Sequence, residues 1–167
     1  MHERILDTTN ELLELARSEE VREQSLALVQ QARHSVDIVS RHLDPMLYNN
    51  AAFADALRAM ILDTRRAQVR LLVLDPAPLA SQGHRLLELA RHLTSFITVR
   101  TPAPEHKEFN EAWLVADNTG YLHRRFSDRY EATANFADRR QSNSLTNRFE
   151  DLWQRAESAS SVRRLHL

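Results

Sequence analysis

Apolar residues recur along this chain in two rhythms, one of about 3.6 residues and one of two, the periods of a helix and of a strand. Val21, Ser25, Leu28, Val29 and Ala32 share one helical face, and that helix is expected to end near Arg33 or His34. Ser35 to Ser40 then alternates, is rich in β-branched residues, and predicts a strand broken at Asp44-Pro45. Phe53, Ala56, Leu57, Met60 and Ile61 form the stripe of an amphipathic helix from Ala51 to Arg66, with Asn49 or Asn50 placed to cap it. Val69 to Leu74 is almost continuously apolar, as in a strand covered on both faces, and Asp75-Pro-Ala-Pro78 stops it. Leu86, Leu89, Ala90 and Leu93 predict a third helix after Gly83, and Phe96 to Arg100 another strand.

After a loop with two prolines, Thr101 to Lys107, the pattern predicts a hairpin: Ala112 to Ala116, a turn at Asp117-Asn-Thr-Gly120, and Tyr121 to His123. Asn and Gly tolerate positive φ and suit such a turn. Arg124 to Arg140 is polar and irregular and reads as a surface excursion. Leu145, Phe149, Leu152, Trp153 and Ala156 make the last helical stripe. At the start, Asp7 to Ala16 suits a short helix or turn. Strands that alternate with helices imply an α/β fold: a mixed, mainly parallel sheet with helices on both faces. The expected organisation is one domain over 1–167. Residues 1–20 are an N-terminal extension, and 158–167 are a tail in which Val162, Leu165 and Leu167 can dock.

Composition narrows this picture without redirecting it. At 167 residues, with 43% hydrophobic and 27% charged residues, the chain is long enough for one real core. Its two glycines, Gly83 and Gly120, are expected where the backbone needs freedom. A net charge of −1 gives no global pull towards nucleic acid or anionic lipid. The absence of cysteine excludes disulfides and thiolate metal sites and favours a reducing compartment. No secretory leader and no apolar run of about 20 residues is visible, so a cytoplasmic protein off the membrane is expected.

The chemistry-bearing stretch is Phe109 to Leu122, whose frame reads Asn110-x-Ala112-x4-Asp117. With the strand Ser35 to Ser40, the helix from Ala51, the strand Val69 to Leu74 and the closing Asn147-Arg-Phe-Glu-Asp-Leu-Trp153, it resembles the phospholipase D superfamily over Val21 to Ala156. More narrowly, five segments resemble an uncharacterised bacterial phospholipase D-like domain often found behind a GNAT-type acyltransferase domain. They are His84 to Ala90, Ala112 to Asp117, Tyr130-Glu-Ala132, Phe149-x-x-Leu-Trp153 and Val162-Arg-Arg-Leu165. The superfamily signature is His-x-Lys-x4-Asp. The resemblance therefore puts Asn110 in the histidine slot, Ala112 in the lysine slot, and Asp117 in its own. In active members the histidine attacks phosphorus and the lysine holds phosphate oxygens. Asn110 is no comparable nucleophile and Ala112 carries no charge. The resemblance thus implies a degenerate, non-catalytic domain with no catalytic residue, no metal and no cofactor. It also implies pairing of two copies, because one signature makes half a site, and an acyltransferase or other protein partner.

Asn110, Ala112, Asp117, Tyr130 and Asn135 are the candidates for lining the former cleft. Tyr130 and Asn135 can equally tie down a loop, and Asp117 can simply organise its turn. His84 and Arg85, at an expected helix start, are a candidate anion site, with a structural ion pair from Arg85 to Glu88 or Asp75 as the alternative. His106-Lys107 lies just upstream of the frame, but neighbours on a strand face opposite ways. Arg124, Arg125, Arg129, Arg139 and Arg140 with Phe126, Tyr130 and Phe136 make a basic, aromatic loop. Asp128, Glu131 and Asp138 dilute its charge, so a solvated loop is preferred over a nucleic-acid surface. Three functions follow. The first is a non-catalytic module binding a protein partner or a phosphate-bearing ligand. The second is a hydrolase of altered chemistry, which requires His84, His106 or His123 within about 3 Å of a carboxylate. The third is nucleic-acid binding through the 124–140 loop.

Overall fold

The first helix begins where Glu20 folds back to accept from the backbone N–H groups of Ala16 and Arg17 (3.3 and 3.1 Å), satisfying donors that the helix itself leaves free. The computed structural model describes residues 3–106 and 108–158. In chain order the elements are β1 (Leu13–Leu15), α1 (Ser18–Gln31), β2 (Ser35–Ser40), α2 (Pro45–Tyr48), α3 (Ala51–Thr64), β3 (Gln68–Val73), α4 (Ala77–Gln82) and α5 (Arg85–His92). They continue as β4 (Ile97–Thr101), a 3-10 turn at Pro104–His106, β5 (Ala112–Ala116), β6 (Gly120–Arg124), β7 (Ala132–Asn135), α6 (Arg139–Gln154) and β8 (Glu157–Ser158). Asn50 caps α3 by accepting from the N–H of Phe53 at 2.9 Å.

One sheet holds all eight strands in the order β1-β7-β6-β5-β2-β3-β4-β8. It is mixed and has helices on both faces. The expectation of a mainly parallel sheet needs correction: among the described residues only β2–β3 and β3–β4 are parallel, and the other five pairings are antiparallel. Strand–helix alternation accounts for the central trio. Three short strands, the two edges β1 and β8 and the inner β7, carry too little pattern to be read. β1 replaces the expected helix or turn, β7 (Ala-Thr-Ala-Asn) lies inside the expected excursion, and β8 lies at its far edge. The short helices α2 and α4 each follow a proline-containing break, where proline fits the first helical turn. The docking expected of Val162, Leu165 and Leu167, and Lys107 itself, lie outside the described residues.

Alternation along β5 divides the core. Leu114 and Ala116 join the larger cluster under α1, α3 and α5, whereas Trp113 and Val115 join Leu145, Phe149, Leu152 and Trp153 of α6. On the α6 face, Arg70 grips buried Asp37 through two bonds (2.8 and 2.9 Å), meets Glu150 at 2.5 Å and lies over the Phe149 ring. Burial pushes the Asp37 carboxyl above its ordinary value, against the pull of Arg70.

The two glycines serve different needs. Gly83 ends α4 with φ 73°, a conformation side chains resist. Gly120 is a close approach: a Cβ there would lie 2.4 Å from Leu6 Cδ1 and 2.9 Å from Leu28 Cδ2. Leu6 belongs to an N-terminal strap held across this end of the sheet. Leu6 N–H donates to Gln31 (2.8 Å), Asp7 N–H to the Phe136 carbonyl (2.8 Å), and Arg139 and Thr119 both bind the Asp7 carboxylate.

Candidate functional site

The signature-like frame runs the length of β5, so its members lie at opposite ends of the sheet. Asn110 precedes β5 and Asp117 follows it, and seven residues of extended chain span about 23 Å. Asp117 sits at the end where β2 begins. Its carboxylate accepts from three successive backbone N–H groups, Arg33 (2.9 Å), His34 (2.7 Å) and Ser35 (3.0 Å). Asp117 and Asn118 both take left-handed φ (54° and 57°), the primed-turn geometry that hairpins favour. The bonds to the α1–β2 connection hold the aspartate in this costly conformation. Asn135 lies at the same end. It accepts from Glu11 N–H (3.2 Å) and Ala137 N–H (3.0 Å) and donates to Asn10 (2.9 Å), which fastens the strap to β7.

Asn110, Ala112 and Tyr130 lie at the other end, where the parallel strands β2 and β3 finish, the usual ligand-binding end of an α/β sheet. The five candidates for one cleft therefore fall into two groups, three at one end and two at the other. Ala112 is buried, and its cross-strand partner on the same face is Arg124. Arg124, 2% exposed, occupies this position. It lies 3.5 Å from Asp44, donates to the carbonyls of Ser127 (2.9 Å) and Arg129 (2.7 Å), and stacks on the Tyr130 ring. Tyr130 completes the group by donating to Asp44 at 3.2 Å. Burial raises the pKa of the neighbouring Tyr48 phenol well above its ordinary range, so it stays neutral.

Asn110 is exposed and engaged in a second group. Its Oδ1 accepts from Ser127 Oγ (2.5 Å) and from Arg41 (3.3 Å), and Arg41 also donates to the Phe109 carbonyl (2.8 Å). Arg41 is half-buried, and among the described residues no carboxylate lies within ion-pair distance of it. Neither Arg41 nor Ser127 stands out in the sequence. The one available signal was that Arg41 directly follows a parallel strand, at the end where such sheets bind ligands.

His84 caps α5. Its Nδ1 accepts from Leu86 N–H (3.0 Å) and its Nε2 donates to the Leu43 carbonyl (2.8 Å), so neither ring nitrogen is left for an anion. Burial pushes its pKa down, in keeping with a neutral imidazole. Arg85 is exposed, and the expected ion pairs to Glu88 or Asp75 do not form: Glu88 meets Arg91 and Asp75 meets His42.

On the opposite face, His123 Nε2 lies 2.9 Å from Glu111 Oε1, and Arg148 of α6 binds the same carboxylate while lying over Trp113. Burial raises the Glu111 pKa, but the bonds from Arg148 and His123 prevail and hold it below its usual value. The arginine-rich loop is divided by the fold. Arg124, Arg125 and Arg129 stay at the Asn110 end, while Arg139 pairs with Asp7 at the Asp117 end. Among the described residues no group of three histidine or acidic side chains is placed to hold a metal. No described helix is long and apolar enough to cross a membrane.

Residues 17–165 match a family described as a domain of unknown function (DUF7931), and the chain belongs to that family. No functionally curated protein is similar to it. Its fold is shared with solved structures at low identity. One is the archaeal chromatin protein TrmBL2, described with a novel mode of DNA binding (TM-score 0.65, 12% identity, 92% of this chain); this chain spans 55% of its length. Two others are the phospholipase D family member Nuc from Salmonella typhimurium (TM-score 0.61, 15% identity, 89% of this chain and 98% of that one) and NucT from Helicobacter pylori (TM-score 0.57, 13% identity, 89% and 98%). Likeness at this level shows the phospholipase D fold.

Proposed function

We propose that this domain is a non-catalytic phospholipase D-like module that holds a phosphate-bearing ligand at the C-terminal end of its parallel strands. The reading rests on one observation. Where the resemblance expects a nucleophile and a phosphate-binding lysine stand Asn110 and Ala112, yet Arg41 and Ser127 converge on Asn110 and present a guanidinium with no carboxylate partner among the described residues. A guanidinium held by neutral acceptors keeps its charge available to an oxyanion. The space beside Ala112 is taken by the Arg124–Asp44–Tyr130 group, which supports binding without turnover. Isothermal titration with inorganic phosphate at low ionic strength is expected to show binding that Arg41→Ala abolishes. Bis(p-nitrophenyl) phosphate is expected to remain unhydrolysed. Diester turnover that Asn110→Ala removes overturns the reading.

A second reading, a hydrolase of altered chemistry, is favoured by the His123–Glu111 distance of 2.9 Å, which meets the stated requirement for a histidine near a carboxylate. Against it, the alternation of β5 and β6 puts that pair on the α6 face, away from Asn110 and Arg124, and Arg148 already occupies the carboxylate. Turnover lost in His123→Ala selects this reading over the first.

A further inference from the structure

The loop between β6 and β7 is fastened from below. Arg124 donates to the carbonyls of Ser127 and Arg129, Ser127 N–H donates to the Asn110 carbonyl (2.7 Å), and Arg129 N–H donates to the Phe126 carbonyl (3.1 Å). A buried cation thus fixes a loop whose neighbours are mostly in solvent. That loop presents Phe126, 45% exposed and the single exposed large aromatic side chain among the described residues. The guanidinium carbons of Arg125 and Arg129 lie 5.9 and 5.4 Å from its ring centroid. Among the described residues neither arginine has a carboxylate within ion-pair distance. Phe126 directly precedes Ser127, whose hydroxyl is 3.4 Å from Arg41 Nε, so the aromatic platform and the proposed phosphate site lie side by side.

We propose that Phe126, with Arg125 and Arg129, is a stacking platform for a nucleobase, and that the phosphate-bearing ligand is single-stranded nucleic acid whose backbone meets Arg41 and Ser127. This rests on the phosphate-binding reading above. Aromatic rings and guanidinium planes both stack on bases, and a rigid platform loses less entropy on binding. A duplex hides the base faces that such a platform reads. The footprint is short, because the fold sends Arg139 to the far end, where Asp7 neutralises it. With three arginines, Arg41, Arg125 and Arg129, that lack a carboxylate partner among the described residues, the affinity is expected to fall with salt at a slope of about −2, as for about three phosphates on a single strand. A lone phenylalanine lacks the broad apolar face of a membrane-surface helix, so a bilayer is the weaker fit.

The test is fluorescence anisotropy of the full chain with a labelled short oligothymidylate, the matching duplex, and vesicles of phosphatidylserine with phosphatidylcholine. The proposal expects single-strand binding that weakens by about tenfold in Phe126→Ala, consistent with stacking of one base. It also expects Phe126→Trp to retain that binding, the duplex to bind more weakly, and Arg139→Ala to leave binding unchanged. Circular dichroism checks that each variant is folded. The proposal is overturned by an oligonucleotide affinity that ignores Phe126→Ala, by a duplex that binds as tightly as the single strand, or by binding to the vesicles alone. If inorganic phosphate binds in an Arg41-dependent way and the oligonucleotide does not, the stacking inference falls and the phosphate reading stands. If neither binds, both fall.

Discussion

The two ends of the β5–β6 hairpin carry polar groups of similar number and opposite use. At the Asp117 end a carboxylate is bonded by three backbone N–H groups, and Asn135 is bonded by the strap and by its own chain at Ala137. At the Asn110 end the Arg41 guanidinium is held, among the described residues, by neutral oxygens alone, beside an exposed phenylalanine. A polar group whose bonds all go to the local backbone is organising the chain. One left with surplus charge next to exposed aromatic surface is placed to meet something else. The frame Asn110-x-Ala112-x4-Asp117 joins these two situations in sequence although they share no site.

The strongest test of the contrast is Arg124→Met. It removes a buried cation from half-buried Asp44, leaves the Ser127 and Arg129 carbonyls without their donor and frees the 125–131 loop, and it is expected to cost about 3–5 kcal/mol in urea unfolding. A cost under about 1 kcal/mol places Arg124 with the surface arginines and removes the basis for a rigid loop. At the opposite end, Asp117→Ala releases three N–H groups and is expected to lose roughly 2–3 kcal/mol, while phosphate binding measured by calorimetry stays unchanged. A loss of binding there means that the two ends communicate. Gly120→Ala forces Leu6 and Leu28 apart and is expected to destabilise by roughly 1–3 kcal/mol, with faster amide exchange in residues 4–15 as the strap loosens.

The pH dependence sharpens the comparison from the α6 face. Because the Glu111 pKa is held below 4.5, its contribution to stability is fully present above that value and is lost as pH falls through the lower folded-state pKa. The stability gap between wild type and Glu111→Gln is therefore expected to be constant near neutrality and to close in acid. A gap that widens in acid reverses the sign and contradicts the bonding described. The smallest effect is expected for Arg41→Ala, about 1 kcal/mol of stability against complete loss of phosphate binding. Equal losses in both measurements would make Arg41 a structural residue like Asp117.

By itself the sequence determined the secondary elements with strong periodicity, and with them the α/β class. The β2 bounds Ser35–Ser40, the α3 start at Ala51 with its Asn50 cap and the β5 bounds Ala112–Ala116 all follow from local rules, because each long stripe must bury itself one way. β7 was not legible: Ala-Thr-Ala-Asn alternates over only four residues, buries just two small alanines, and gains its order from β6 and β1 on either side. The sequence also raised Asn110, Ala112, Tyr130 and the arginines of the 124–140 loop as candidates, without their grouping. Only the tertiary structure parted Asp117 and Asn135 from Asn110, turned Arg124 from a surface charge into a buried clamp, and brought Arg41, sixty-nine residues away, against Asn110. The reason is physical. Periodicity reports which face of an element is buried, but hydrogen bonds between polar side chains depend on strand register and loop closure, which no local pattern encodes.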